Sequence, residues 1–178
     1  MKSVLLLLAI SFVLPAADRP RVTRDELAAV EKSMDGAIRS WDVVEPYDVL
    51  GFTRGVYLPG YGVVFTTEVN LVITLVTPFS PVPTGQKLLL LKDKKQKRLA
   101  HLRNWMRETL VTAGASLDQV PQGEKIVYAM TLFYQGFEDH SGMPNQVVLE
   151  APRQALIDFK AGRIGQAQLD AAIQAWEL

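Results

Sequence analysis

The stretch YGVVFTTEVNLVITLV, residues 61–76, sets the fold class. Its odd positions read Tyr61, Val63, Phe65, Thr67, Val69, Leu71, Ile73 and Leu75, while Gly62, Thr66, Glu68, Asn70 and Thr74 hold even ones. Alternation of this kind puts successive side chains on opposite faces of a half-buried strand, as in an antiparallel sheet with one wet side. Sixteen residues is long for a strand. A bend, a bulge or an end that leaves the sheet is therefore expected.

Upstream, RGVYLPGYGVVF (54–65) turns the chain into this strand. Phosphate-cradling glycine loops precede a helix, whose free N–H groups hold the anion. Here a strand follows, so the glycines reverse the chain. Pro59 cannot take the positive φ that a two-residue hairpin loop needs at its first position. The loop is expected to be wider, with a type II turn at Pro59-Gly60, Gly62 bulged, and Tyr57 and Tyr61 offered as contact residues.

Thr23 and Glu26 form a capping box ahead of Leu27, Val30, Met34, Ile38 and Trp41, which recur at helical spacing and predict a helix over about 24–40. A second, longer helix lies within 87–113, with Leu91, Leu99, Leu102, Met106, Leu110 and Ala113 on one side and Gly114 as its stop. KIVYAMTLFYQ (125–135) is apolar on both alternating sets and reads as a central strand, followed by a short strand at QVVLE (146–150). Two helices close the chain, the last carrying Leu169, Ala172, Ile173 and Trp176. Trp41, Trp105 and Trp176 are assigned to the core. The order helix-β-β-helix-β-β-helix-helix predicts an α+β domain over 18–178: an antiparallel sheet of about four strands with helices mainly on one face.

The N-terminus reads as an address rather than as structure. One charge at Lys2, an apolar-leaning run from Val4 to Leu14 and small residues at Ala16 and Ala17 make a signal peptide over 1–17, too short to span a bilayer. Pro15 fits the cleavage rule poorly, and retention of the segment as an anchor is the alternative. The expected location is periplasmic or secreted. An exported chain is free to use disulfides, yet this one has no cysteine and relies on its core.

Chemistry is thinly represented. With 19 basic and 19 acidic residues, global charge gives no argument for nucleic acid. There are two histidines, no nucleophile elbow, no thiolate zinc spacing and no cofactor fingerprint. Two local clusters stand out. KDKKQKR (92–98) places Lys94, Lys95 and Lys97 on a helix, suited to an acidic protein partner or to peripheral attachment at an anionic membrane. FEDHSG (137–142) collects Glu138, Asp139 and His140, the alternative site for a metal, a small ligand or a hydrolytic reaction in the 136–146 loop.

The segments LGFTRGVYLPGYGVVFTTEVNL (50–71) and LRNWMRETLVTAGASLDQVPQGEKIVY (102–128) resemble a group of uncharacterised exported bacterial proteins. These share an R-G-V-Y-x-P-G-Y-G-x-x-F hairpin and an L-x-x-V-P-x-x-E stretch before a strand. The resemblance implies export and fold, and transfers no catalytic residue. The chain is expected to be a non-enzymatic domain that binds or packs on another cell-envelope protein, with no cofactor.

Overall fold

The computed structural model describes residues 22–42, 44–74, 79 and 82–178. The apolar run read as an export signal lies outside the described residues. Helix α1 (Arg24–Trp41) starts where the capping box places it: Glu26 N donates to Thr23 Oγ1 at 3.2 Å and Thr23 N to Glu26 Oε2 at 2.7 Å. Leu27, Val30, Met34 and Ile38 are buried, whereas Trp41 at the end of their stripe is 40% exposed. Gly36 sits on the exposed side of α1 with open space where a Cβ would go. Gly36→Ala is therefore expected to stabilise the chain by about 0.5–1 kcal/mol, read as a raised denaturant midpoint at unchanged slope.

Strands β1 (Asp48–Val49) and β2 (Arg54–Leu58) both pair antiparallel with β3 (Gly62–Asn70), forming one interrupted edge. The long alternating stretch leaves the sheet at Asn70, whose Oδ1 accepts from Val72 N at 3.3 Å and turns the chain. Helix α2 (Gln86–Ser116) then crosses to β4 (Lys125–Leu132), which lies parallel to β3 in the register Gly62↔Lys125 through Val69↔Leu132. Strand β5 (Gln146–Pro152) returns antiparallel to β4. Helices α3 (Arg153–Lys160) and α4 (Gln166–Ala172) lead to β6 (Gln174–Glu177) on the far edge.

The α+β class stands, but among the described residues the sheet has six strands and is mixed. Alternation reports which faces are wet, not the direction of the neighbouring strand. A strand that returns through a helical crossover to lie beside its predecessor arrives parallel. The final segment is a strand rather than more helix: Gln174–Glu177 is exposed throughout and is held by pairing with β5, not by a pattern of its own. Trp176 on it is an edge residue, 40% exposed, and not core.

Gly114 does not stop α2, which runs to Ser116. A Cβ there would lie 2.4 Å from Leu156 Cδ1, so this glycine lets α3 press on α2. Buried Arg153 receives the end of that helix, donating to Gly114 O at 3.0 Å and Val120 O at 2.8 Å.

Residues Val63, Phe65, Ile126, Tyr128, Met130, Val147 and Leu149 face the helices and form the main core. On the other face Val64, Val127, Ala129 and Val148 cover one another across β3, β4 and β5. Helix α1 also seals the β2 edge. Glu31 Oε1 accepts from Gly55 N at 2.6 Å, and Asp35 Oδ1 from Thr53 N at 2.9 Å. Carboxylates one helical turn apart (about 6 Å) meet outward N–H groups two strand residues apart (about 7 Å), which occupies an edge that would otherwise recruit another strand.

Candidate functional site

The hairpin is a widened loop, as Pro59 requires. Tyr61 N donates to Leu58 O at 3.0 Å around Pro59-Gly60, with Gly60 at φ +83°, the geometry of a type II turn. The tyrosines there serve the fold. Tyr57 OH donates to Glu124 Oε1 at 3.3 Å, and the same oxygen accepts from Gly60 N at 2.8 Å. Tyr61 OH donates to Glu150 Oε2 at 3.1 Å, beside Lys125 Nζ on the other oxygen at 2.6 Å. Burial and then the neighbouring carboxylates push both phenols above the ordinary tyrosine range. Tyr61 is 41% exposed, beside the still more exposed Val56 and Leu58 of β2.

The basic helix and the acidic loop, separate candidates in the sequence, come together in space. Lys92 Nζ donates to Asp139 Oδ2 at 2.7 Å and Ser141 Oγ at 2.9 Å. The Lys92 bond, and then those from the Ser141 hydroxyl and backbone N–H, hold the Asp139 carboxyl well below the usual carboxylate range. Lys95 is not a surface residue: it is 1% exposed and ion-paired with Glu138, with its ammonium 5.0 Å from the centre of the Tyr134 ring. It faces inward because α2 turns this position towards the loop that follows β4. His140 stacks on Tyr134 at 4.7 Å, and burial, then Glu138, pushes the Tyr134 phenol up to about 12.

Only about 10 Å³ remains among these groups, room for a water at most. Glu138 and Asp139 thus fasten the loop to α2, while Asp139 and His140 stay exposed at its surface. Lys94 pairs with Glu45 at 2.8 Å and Lys97 with Asp93 at 2.6 Å, both in the open. Arg98, Arg103 and Arg107 likewise meet Asp42, Glu177 and Asp170. The basic stripe is answered mostly by acids of its own chain.

The concavity lies elsewhere, between α1 and α2. A groove of about 630 Å³ spans residues 26–41 of α1 and 105–116 of α2. Val30, Met34, Trp105 and Ala113 are among its lining, and Trp41 meets Trp105 edge-on at 6.4 Å. Ala29, Ser33, Ala37 and Ser40 line it from α1 with small side chains at helical spacing.

Several of its hydroxyls are turned back on their own helices. Ser40 Oγ donates to Gly36 O at 2.9 Å, Thr112 Oγ1 to Glu108 O at 3.0 Å and Ser116 Oγ to Thr112 O at 2.8 Å. Such bonds leave mostly carbon facing the groove. Charge enters through Glu26, engaged in the capping box, and Glu108, which makes no ion pair among the described residues. Among the described residues, no lysine or arginine lines the groove.

The groove is not legible in the sequence because Val30, Met34 and Trp41 share the apolar stripe of the first helix and Trp105 reads as core of the second. The available signal was the row of small residues at 29, 33 and 37 beside that stripe, which widens the apolar arc beyond what the sheet covers. Comparison with protein-family models, curated proteins and solved structures finds no match to the chain.

Proposed function

We propose that this chain is a non-enzymatic binding domain of the cell envelope. Its α1–α2 groove receives an apolar helical segment, flanked by basic residues, of a partner protein. The observation that carries this reading is the unfilled groove of about 630 Å³, within the usual range of binding clefts. The small residues of α1 let a third helix approach closely, Trp41, 40% exposed, supplies apolar contact area, and the carboxylates of Glu26 and Glu108 favour a cationic flank. Export, read from the N-terminus, and the resemblance to exported proteins support the location.

The test uses a defined probe, an amphipathic leucine–alanine helix with lysine flanks. Binding is expected to shift the emission of Trp41 and Trp105. Ala37→Trp fills the groove from an exposed position and is expected to weaken binding by about tenfold or more without loss of stability. An affinity that Ala37→Trp leaves unchanged would place the contact outside the groove. Tyr61, Lys94 and Lys97, exposed on the hairpin and on α2, are then the next surface to probe.

A further inference from the structure

Leu88, Leu89, Leu90 and Leu91 stand in the first two turns of α2. At about 100° per residue they point in four directions around the helix axis, so no single packed face takes them all. The fold takes two of them: Leu88 and Leu91 are part-buried beside Tyr134 and Met143. Leu89 and Leu90 remain 70% and 62% exposed, the bare sides of a helix whose first buried residue is Lys95. Next to this end, exposed Val44 and Ile73 line a shallow depression walled by Lys94.

Cations flank the leucines on the side of Leu90. Lys87 precedes them and makes no ion pair among the described residues, and Lys94 and Lys97 follow in solvent-exposed pairs that a lipid phosphate is able to replace. We infer that this leucine tip inserts into the headgroup–acyl boundary of an anionic phospholipid bilayer, with the lysines on the phosphates. A protein groove covers one side of a helix. A tip that is bare on two sides, with lysines flanking one of them, suits the headgroup–acyl boundary, where lipid covers both. No helix among the described residues is long and apolar enough to cross a membrane, so the contact is interfacial.

The tip and the α1–α2 groove are independent. Leu90 and Trp105 are separated by about 22 Å along α2, so a membrane-held domain still presents its groove.

Because the chain has no cysteine, one introduced thiol is labelled at a single place. A polarity-sensitive fluorophore is placed on Leu90→Cys, and in a second protein on Gln119→Cys, an exposed position beyond the other end of α2. Both proteins keep the full chain, so the apolar N-terminal run contributes equally. With vesicles of mixed phosphatidylcholine and phosphatidylglycerol, the label at 90 is expected to shift to the blue and brighten severalfold, while the label at 119 stays as in buffer. Adding Leu89→Glu to the Leu90→Cys protein is expected to weaken that response by about tenfold. No change at 90, or equal changes at both positions, would overturn the inference. So would concentration-dependent self-association that Leu89→Glu abolishes without any vesicle response, which would assign the tip to a second copy of the chain.

Discussion

Glu138→Ala is expected to destabilise the chain by about 3–5 kcal/mol, a large part of the roughly 5–15 kcal/mol that holds an ordinary domain together. The side chains of Lys95 and Glu138 are 2% and 4% exposed. Besides the carboxylate, the ammonium has Phe133 O at 3.5 Å and the Tyr134 ring. Alanine at 138 leaves a buried cation with one long hydrogen bond and a ring face. The pair itself is not optimal, since Glu138 Oε1 has no hydrogen-bond partner. Lys95→Met combined with Glu138→Leu is therefore expected to recover most of the loss, because removing both charges also removes the cost of burying them. Urea denaturation of the three variants measures this. A loss below about 1 kcal/mol for Glu138→Ala would show that Lys95 is solvated and that the latch contributes little.

Gly62→Ala is expected to cost about 2–5 kcal/mol, combining strain at positive φ with overpacking against a neighbour that does not move. Gly62 sits at φ +140°, and a Cβ there would lie 1.8 Å from Lys125 O, a backbone atom of the central strand. The β3–β4 ladder begins at this point, so relief requires the two strands to part. Gly60→Ala is the matched control. Its φ is +83° but the space around it is open, so only the conformational cost remains, about 1 kcal/mol. Denaturation midpoints of the two variants should differ clearly. Equal losses would mean that close approach at Lys125 plays no part.

Much of the fold was legible because it rests on local rules. The capping box at Thr23 fixed the start of α1, Pro59 fixed the width of the hairpin loop, and alternation around Phe65 fixed which side of β3 faces the helices. What was not legible depends on long-range pairing. Nothing local distinguishes a parallel from an antiparallel neighbour for β4, and β6 exists because β5 offers it an edge. Gly114 was taken for a helix stop, because the sequence does not show Leu156 pressing on it.

The surroundings of the candidate sites were not legible for a related reason. KDKKQKR and FEDHSG each look reactive when read alone, yet Lys92 and Lys95 meet Asp139 and Glu138 across more than forty positions of chain. The fold holds each charge against an opposite one, which neither segment shows when read alone. The groove was invisible because its apolar residues share a periodicity with the core. Only the structure separates the part of the stripe that the sheet covers from the part left open.

The most direct measurement is photo-crosslinking in intact cells from a benzoylphenylalanine at Ser33, inside the groove, compared with one at Tyr61 on the hairpin. The account predicts a discrete protein adduct from position 33 that Ala37→Trp removes, and none from position 61. An adduct from 61 alone, or one from 33 that persists with Ala37→Trp, would contradict it.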